Sequence, residues 1–117
     1  MYTEKDNKII NILGVDYSIS FEPEAELDKR EINGYCDESV KKIVVGVFEP
    51  AEGKLQDLHS FQKKVLRHEI IHAFLFESGL AECSGSVCSW ATNEEMVDWI
   101  AHQHNKIHKV FEKAGAL

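Results

Sequence analysis

From Val15 to Phe21 apolar and polar residues alternate, with Val15, Tyr17, Ile19 and Phe21 separated by Asp16, Ser18 and Ser20. A period of two puts the four apolar side chains on one face of a half-buried strand. Residues 9–13 read as a shorter strand before it, with Gly14 at the turn. Residues 22–31, polar and acidic around Pro23, read as a loop with room for a helical turn. Residues 32–37 and 41–48 then suggest a hairpin closed by Asp37-Glu38-Ser39, its second arm rich in β-branched residues. The expected result is a small, mostly antiparallel sheet of three to four strands.

Near residue 55 the period changes to a helical one. From about Ser60 to Ser78, Phe61, Val65, His68, His72, Leu75 and Phe76 share one broad face. Ser60 is a candidate N-cap, and Gly79 is placed to end the helix in a left-handed conformation. A loop from Leu80 to Ala91 follows, with Trp90 expected to pin it to the core. A second helix is predicted over 93–113, its stripe made of Val97, Ile100, His104, Ile107 and Phe111. Strands first and helices after them define an α+β domain, read as one unit over residues 1–117.

Charge narrows the classes of function. Residues 1–60 carry 13 acids and 7 bases, so the strand-rich half lacks the basic footprint that nucleic-acid binding needs. No apolar run approaches the roughly 20 residues that span a bilayer. The polar, acidic first residues do not resemble a secretory signal, and a cytoplasmic protein is expected. The three cysteines, Cys36, Cys83 and Cys88, are an odd number and fit a reducing compartment. The four-residue spacer of Cys83-Ser-Gly-Ser-Val-Cys88 is looser than C-x-x-C and has no second pair to complete a site, so core or loop thiols are expected.

All six histidines lie between His59 and His108, and His68-Glu69-Ile70-Ile71-His72 spells H-E-x-x-H inside the first predicted helix. Histidines four apart lie about 40° apart around a helix, so both imidazoles leave the same side, one turn apart. Two ring nitrogens so placed can bind one tetrahedral zinc, while Glu69, projecting from the edge of that face, takes a proton from water. Ile70 and Ile71 read as packing residues.

A catalytic zinc needs a third protein ligand, and Asn93-Glu94-Glu95-Met96-Val97-Asp98 supplies carboxylates. Helical geometry puts Glu94 on the flank of the second helix's buried stripe and Glu95 on the far side. Thr92-Asn93-Glu94-Glu95 also fits a capping box in which Glu95 returns to the Thr92 backbone N–H. Glu94 is therefore the expected ligand, with Glu95 the alternative. Asp98, one turn on, is placed to accept the second N–H of a ligand histidine.

His68-Glu69-x-x-His72 followed by Asn93-Glu94-x-x-x-Asp98 resembles the gluzincin metallopeptidases, in a context similar to the thermolysin-like pattern. The small size and the strands-then-helices order are similar to the ImmA/IrrE-type peptidases of phages and mobile elements. The resemblance implies Zn2+ held by His68, His72 and Glu94, Glu69 as general base, and a peptide or protein substrate. This chain has no recognisable DNA-binding helix-turn-helix, and Trp99-Ile100-Ala101 stands where that family ends its ligand helix differently. A non-catalytic, zinc-binding regulatory or interaction module is the alternative. The expected substrate mount is an exposed sheet edge at residues 41–48. Tyr35, His102, His104 and His108 are candidate oxyanion donors, although His104 and His108 fall on or near the predicted buried stripe. His59 reads as a surface residue.

Overall fold

The computed structural model of the chain describes residues 1–83 and 90–117. A four-stranded mixed sheet runs β1 (Lys8–Ile12), β2 (Val15–Pro23), β3 (Gly34–Asp37) and β4 (Lys42–Val47). Among the described residues four α-helices accompany it: α1 (Glu24–Asp28), α2 (Leu58–Glu77), α3 (Leu80–Cys83) and α4 (Glu94–Lys113). Among the described residues no helix is long and apolar enough to cross a membrane.

The period-two segment forms β2, with Tyr17, Ile19 and Phe21 all buried. It pairs antiparallel with β1 through a two-residue turn, Ile12 standing opposite Val15. Leu13 and Gly14 both take positive φ, 51° and 91°, as a type I′ turn requires. Gly14 adopts this without strain, and Asn11 Oδ1 accepts its N–H at 2.9 Å.

The predicted hairpin forms β3 and β4, with Asp37 opposite Lys42. Its docking differs from expectation. The strand order is β1-β2-β4-β3, so β4 lies inside the sheet and pairs parallel with β2. Residues 41–48 therefore cannot offer an exposed edge; β3 is the edge strand on that side. The physical reason lies in β4 itself, where Ile43, Val44, Val45 and Gly46 are all buried. A continuous apolar run marks a strand covered on both faces, which is a central position.

The core lies between the sheet and α2, where Ile12, Tyr17, Ile19, Phe21, Ile43, Val45 and Phe48 meet Leu58, Val65 and Ala73. The helix begins earlier than Ser60 because Asp57 is the N-cap, its Oδ1 accepting the Ser60 N–H at 3.0 Å. Gly79, at φ 85°, donates to the Phe76 carbonyl and ends the helix as expected.

The buried stripe of α2 is Leu58, Gln62, Val65, Glu69 and Ala73. Compared with the predicted face it is rotated, because two polar residues lie in it. Gln62 is fully buried and fully satisfied: its Nε2 donates to the Tyr2 and Gly46 carbonyls, and its Oε1 accepts the Tyr2 N–H. The rotation leaves His68 and His72 half-buried on the flank and carries Glu69 into the packed face.

Gly34 makes this fit possible. A Cβ there would stand 2.7 Å from the Val44 carbonyl oxygen and 2.9 Å from a Val65 methyl, so only glycine lets β3 approach α2 so closely.

Along α4 the predicted stripe is buried only in its first half. Val97 and Ala101 are buried, whereas Phe111 is 48% exposed, and His104 and His108 are exposed with it. Thus neither histidine is a core residue, and His108 instead pairs with Glu112 at 3.2 Å. Trp90 is 54% exposed and not a core residue; the buried residue beside it is Ala91. His59, expected at the surface, is half-buried edge-on against Tyr2, and burial first, then the positive N-terminus and Lys63, hold its pKa down.

Candidate metal centre

Two elements supply the centre. Helix α2 presents His68 and His72 one turn apart, their ring centres separated by 4.8 Å. The first turn of α4 presents Glu94, directly after its N-cap Asn93, whose Oδ1 accepts the Met96 N–H at 2.9 Å. The cap is thus one residue later than the predicted Thr92, and the Thr92–Glu95 capping box does not form. Glu95 is exposed.

Three contacts hold α4 against α2 at this level. Arg67 Nε donates to the Ala101 carbonyl at 2.6 Å, and Lys64 Nζ pairs with Asp98 at 3.1 Å. Burial of Val97 and Ala101 adds the apolar part. Lys64 and Arg67 were not singled out by sequence. Their spacing, one turn before and immediately before His68, was the available signal.

The donor atoms of His68, His72 and Glu94 all lie within 4.8 Å of one another. His68 Nε2 is 2.8 Å from Glu94 Oε2, His72 Nε2 is 3.1 Å from Glu94 Oε1, and the two Nε2 atoms are 3.2 Å apart. Ligands at zinc distances of about 2.0–2.1 Å in a tetrahedron stand about 3.3–3.4 Å apart. The two imidazole nitrogens, 3.2 Å apart, stand close to that edge, and each faces a different oxygen of the Glu94 carboxylate, so the three residues could hold a tetrahedral ion.

Asp98 Oδ1 stands 3.4 Å from His68 Nδ1, long for a hydrogen bond but on the side that leaves Nε2 facing the cluster. Partial burial would push the Asp98 carboxyl up; Lys64 and His68 outweigh it and hold it below the usual carboxylate range. It is therefore ionised at neutral pH and can orient the ring. Asp98→Asn is expected to weaken zinc binding by about 10–100-fold, measured by competition with a chromophoric chelator. An unchanged affinity would remove Asp98 from the account.

Glu69 is only 7% exposed. Burial pushes its carboxyl up to about 7; neighbouring His68 opposes the shift and Glu94 adds to it. The same side chain reaches open space, lining two recesses of about 230 and 400 Å³ on either side of the His68–Glu94 cluster. Edge strand β3 borders both, through Gly34 in each and Tyr35 and Cys36 in the larger.

Of the predicted oxyanion donors, Tyr35 lines the larger recess. His102 lines a different one with Leu55 and Arg67, and His104 and His108 are exposed on the second half of α4. Cys36 is a free, half-buried thiol that also lines the larger recess. The expectations for the thiols of Cys83 and Cys88 fall on side chains outside the described part of the structure. Comparison with family models, with curated proteins and with solved structures gives no match to this chain.

Proposed function

We propose that the protein is a zinc-dependent peptide hydrolase of gluzincin type. The observation that carries this reading is the convergence of His68, His72 and Glu94 beside a buried carboxylate that opens on a cleft. When bound, zinc would supply a Lewis acid that polarises a carbonyl and acidifies water. His68 and His72 would hold it through Nε2, and Glu94 through its carboxylate.

Glu69 accepts the proton of the attacking water and delivers it to the leaving amine. Burial pushes its carboxyl up in the metal-free site, the direction that favours holding a proton before it is passed on. The free edge of β3 offers backbone N–H and C=O groups to an extended peptide, and its residues line the recesses beside Glu69. Tyr35, on that strand, is the candidate donor to the oxyanion.

Purified protein should carry or take up about one equivalent of zinc per chain. Hydrolysis of a mixed peptide pool should stop on chelation and return with added zinc. Absence of bound or recoverable zinc would sink the reading. A second reading, a zinc-binding interaction module, draws on the exposed Trp99, Val110 and Phe111 of α4. It predicts zinc uptake without hydrolysis.

A further inference from the structure

The larger recess is built asymmetrically, and its chemistry points to a substrate class. On the His72 side of the cluster it is lined by Tyr35 and Phe76 and, away from them, by Ala91, and it holds Glu38 as its acid outside the zinc and proton-transfer groups. At about 400 Å³ it lies within the range of small-ligand clefts, about 300–1,000 Å³.

The neighbouring acids have their own partners, and Glu38 does not share them. Glu77 is neutralised by Lys41 at 2.6 Å and also accepts from Tyr17 at 2.6 Å. Lys41 lies 5.3 Å from the centre of the Phe76 ring, and Arg30 lies 4.6 Å from that of Tyr35. Asp37 is engaged by the Ser39 backbone N–H at 3.0 Å. Glu77 is thus matched by Lys41, and Asp37 stands opposite Lys42 across the β3–β4 ladder, where the lysine charge, after the Ser39 hydrogen bonds, helps hold its carboxyl down. Among the described residues Glu38 itself makes no ion pair. The Cys36 thiol records the same field, pushed up to about 12 by burial first and then by Glu69, Glu38, Asp37 and Glu77.

We infer that this recess takes the side chain of a lysine or arginine beside the bond to be cut. The aliphatic stem lies along Tyr35 and Phe76, and the cationic head reaches Glu38. This rests on the peptide-hydrolase reading, which supplies the peptide but not the preference.

The test uses labelled peptides identical except for Lys, Ala or Glu scanned through each position. Cleavage is followed by mass spectrometry with zinc-loaded protein, and binding by fluorescence anisotropy with zinc-loaded Glu69→Gln. Lysine at one position is expected to be favoured over alanine by about tenfold or more, as a charge-assisted contact gives. Glu38→Gln should collapse that ratio, and Glu38→Lys should turn the preference towards Glu. Cleavage without a basic preference, or a preference that survives Glu38→Gln, overturns the inference and leaves the hydrolase reading standing. Basic peptides bound through Glu38 but never cleaved sustain the recess and overturn the hydrolase. Neither cleavage nor a basic preference in binding overturns both.

Discussion

Glu69→Gln is expected to keep its zinc and lose hydrolysis by about 10²–10⁴-fold, the range of a positioned general base. The substitution keeps the shape of a side chain that is only 7% exposed and packed between Val65 and Ala73 on the buried stripe of α2. It replaces the basic carboxylate with an amide that does not take up a proton. Glutamine is neutral, and burial already disfavours the charged carboxylate, so folding should be preserved or improved. Zinc content, kcat/KM and Tm measured on the same preparation separate chemistry from folding. Full activity with intact zinc would remove Glu69 as the base.

The second large effect is a contrast between adjacent glutamates. Glu94→Ala should weaken zinc binding by more than the roughly 10–100-fold typical of residues that merely support a ligand. Glu95→Ala should leave zinc affinity unchanged. The difference follows from position: both glutamates are exposed, but Glu94 stands 2.8 and 3.1 Å from the two imidazoles, while Glu95, one residue further round the helix, is not among the converging donors. Isothermal titration with zinc reads both variants. Equal losses, or a loss only in Glu95→Ala, would assign the third ligand wrongly.

The candidate site was more legible in the sequence than the sheet that supports it. His68 and His72 are related by helical spacing, and Glu94 by its place on the flank of α4; both are local regularities that tertiary contacts left intact. The alternation of Tyr17, Ile19 and Phe21 and the β3–β4 hairpin are local in the same sense. Strand order is not. The parallel pairing of β2 with β4 joins segments separated by α1 and β3, and the only hint was the unbroken apolar run of β4.

The face of α2 misled for a different reason. A reading by hydrophobic period leaves Gln62 off the packed face and Glu69 at its edge, yet both are buried. Gln62 is held there by its three hydrogen bonds to Tyr2 and Gly46. Glu69 is held in the cleft floor, where the proposed chemistry needs it. Such departures from pattern are where function tends to be found. The second half of α4 shows the opposite failure: Phe111 completes a periodic stripe but remains 48% exposed, because the helix is buried only as far as Ala101.

X-ray absorption at the zinc edge of the zinc-loaded protein tests the central claim most directly. Four ligands of nitrogen and oxygen at about 2.0–2.2 Å are expected, two of them imidazoles, with the imidazole signal falling to one ring, or the zinc lost, in His68→Ala. Sulfur at about 2.3 Å, or a spectrum unchanged in His68→Ala, would contradict it.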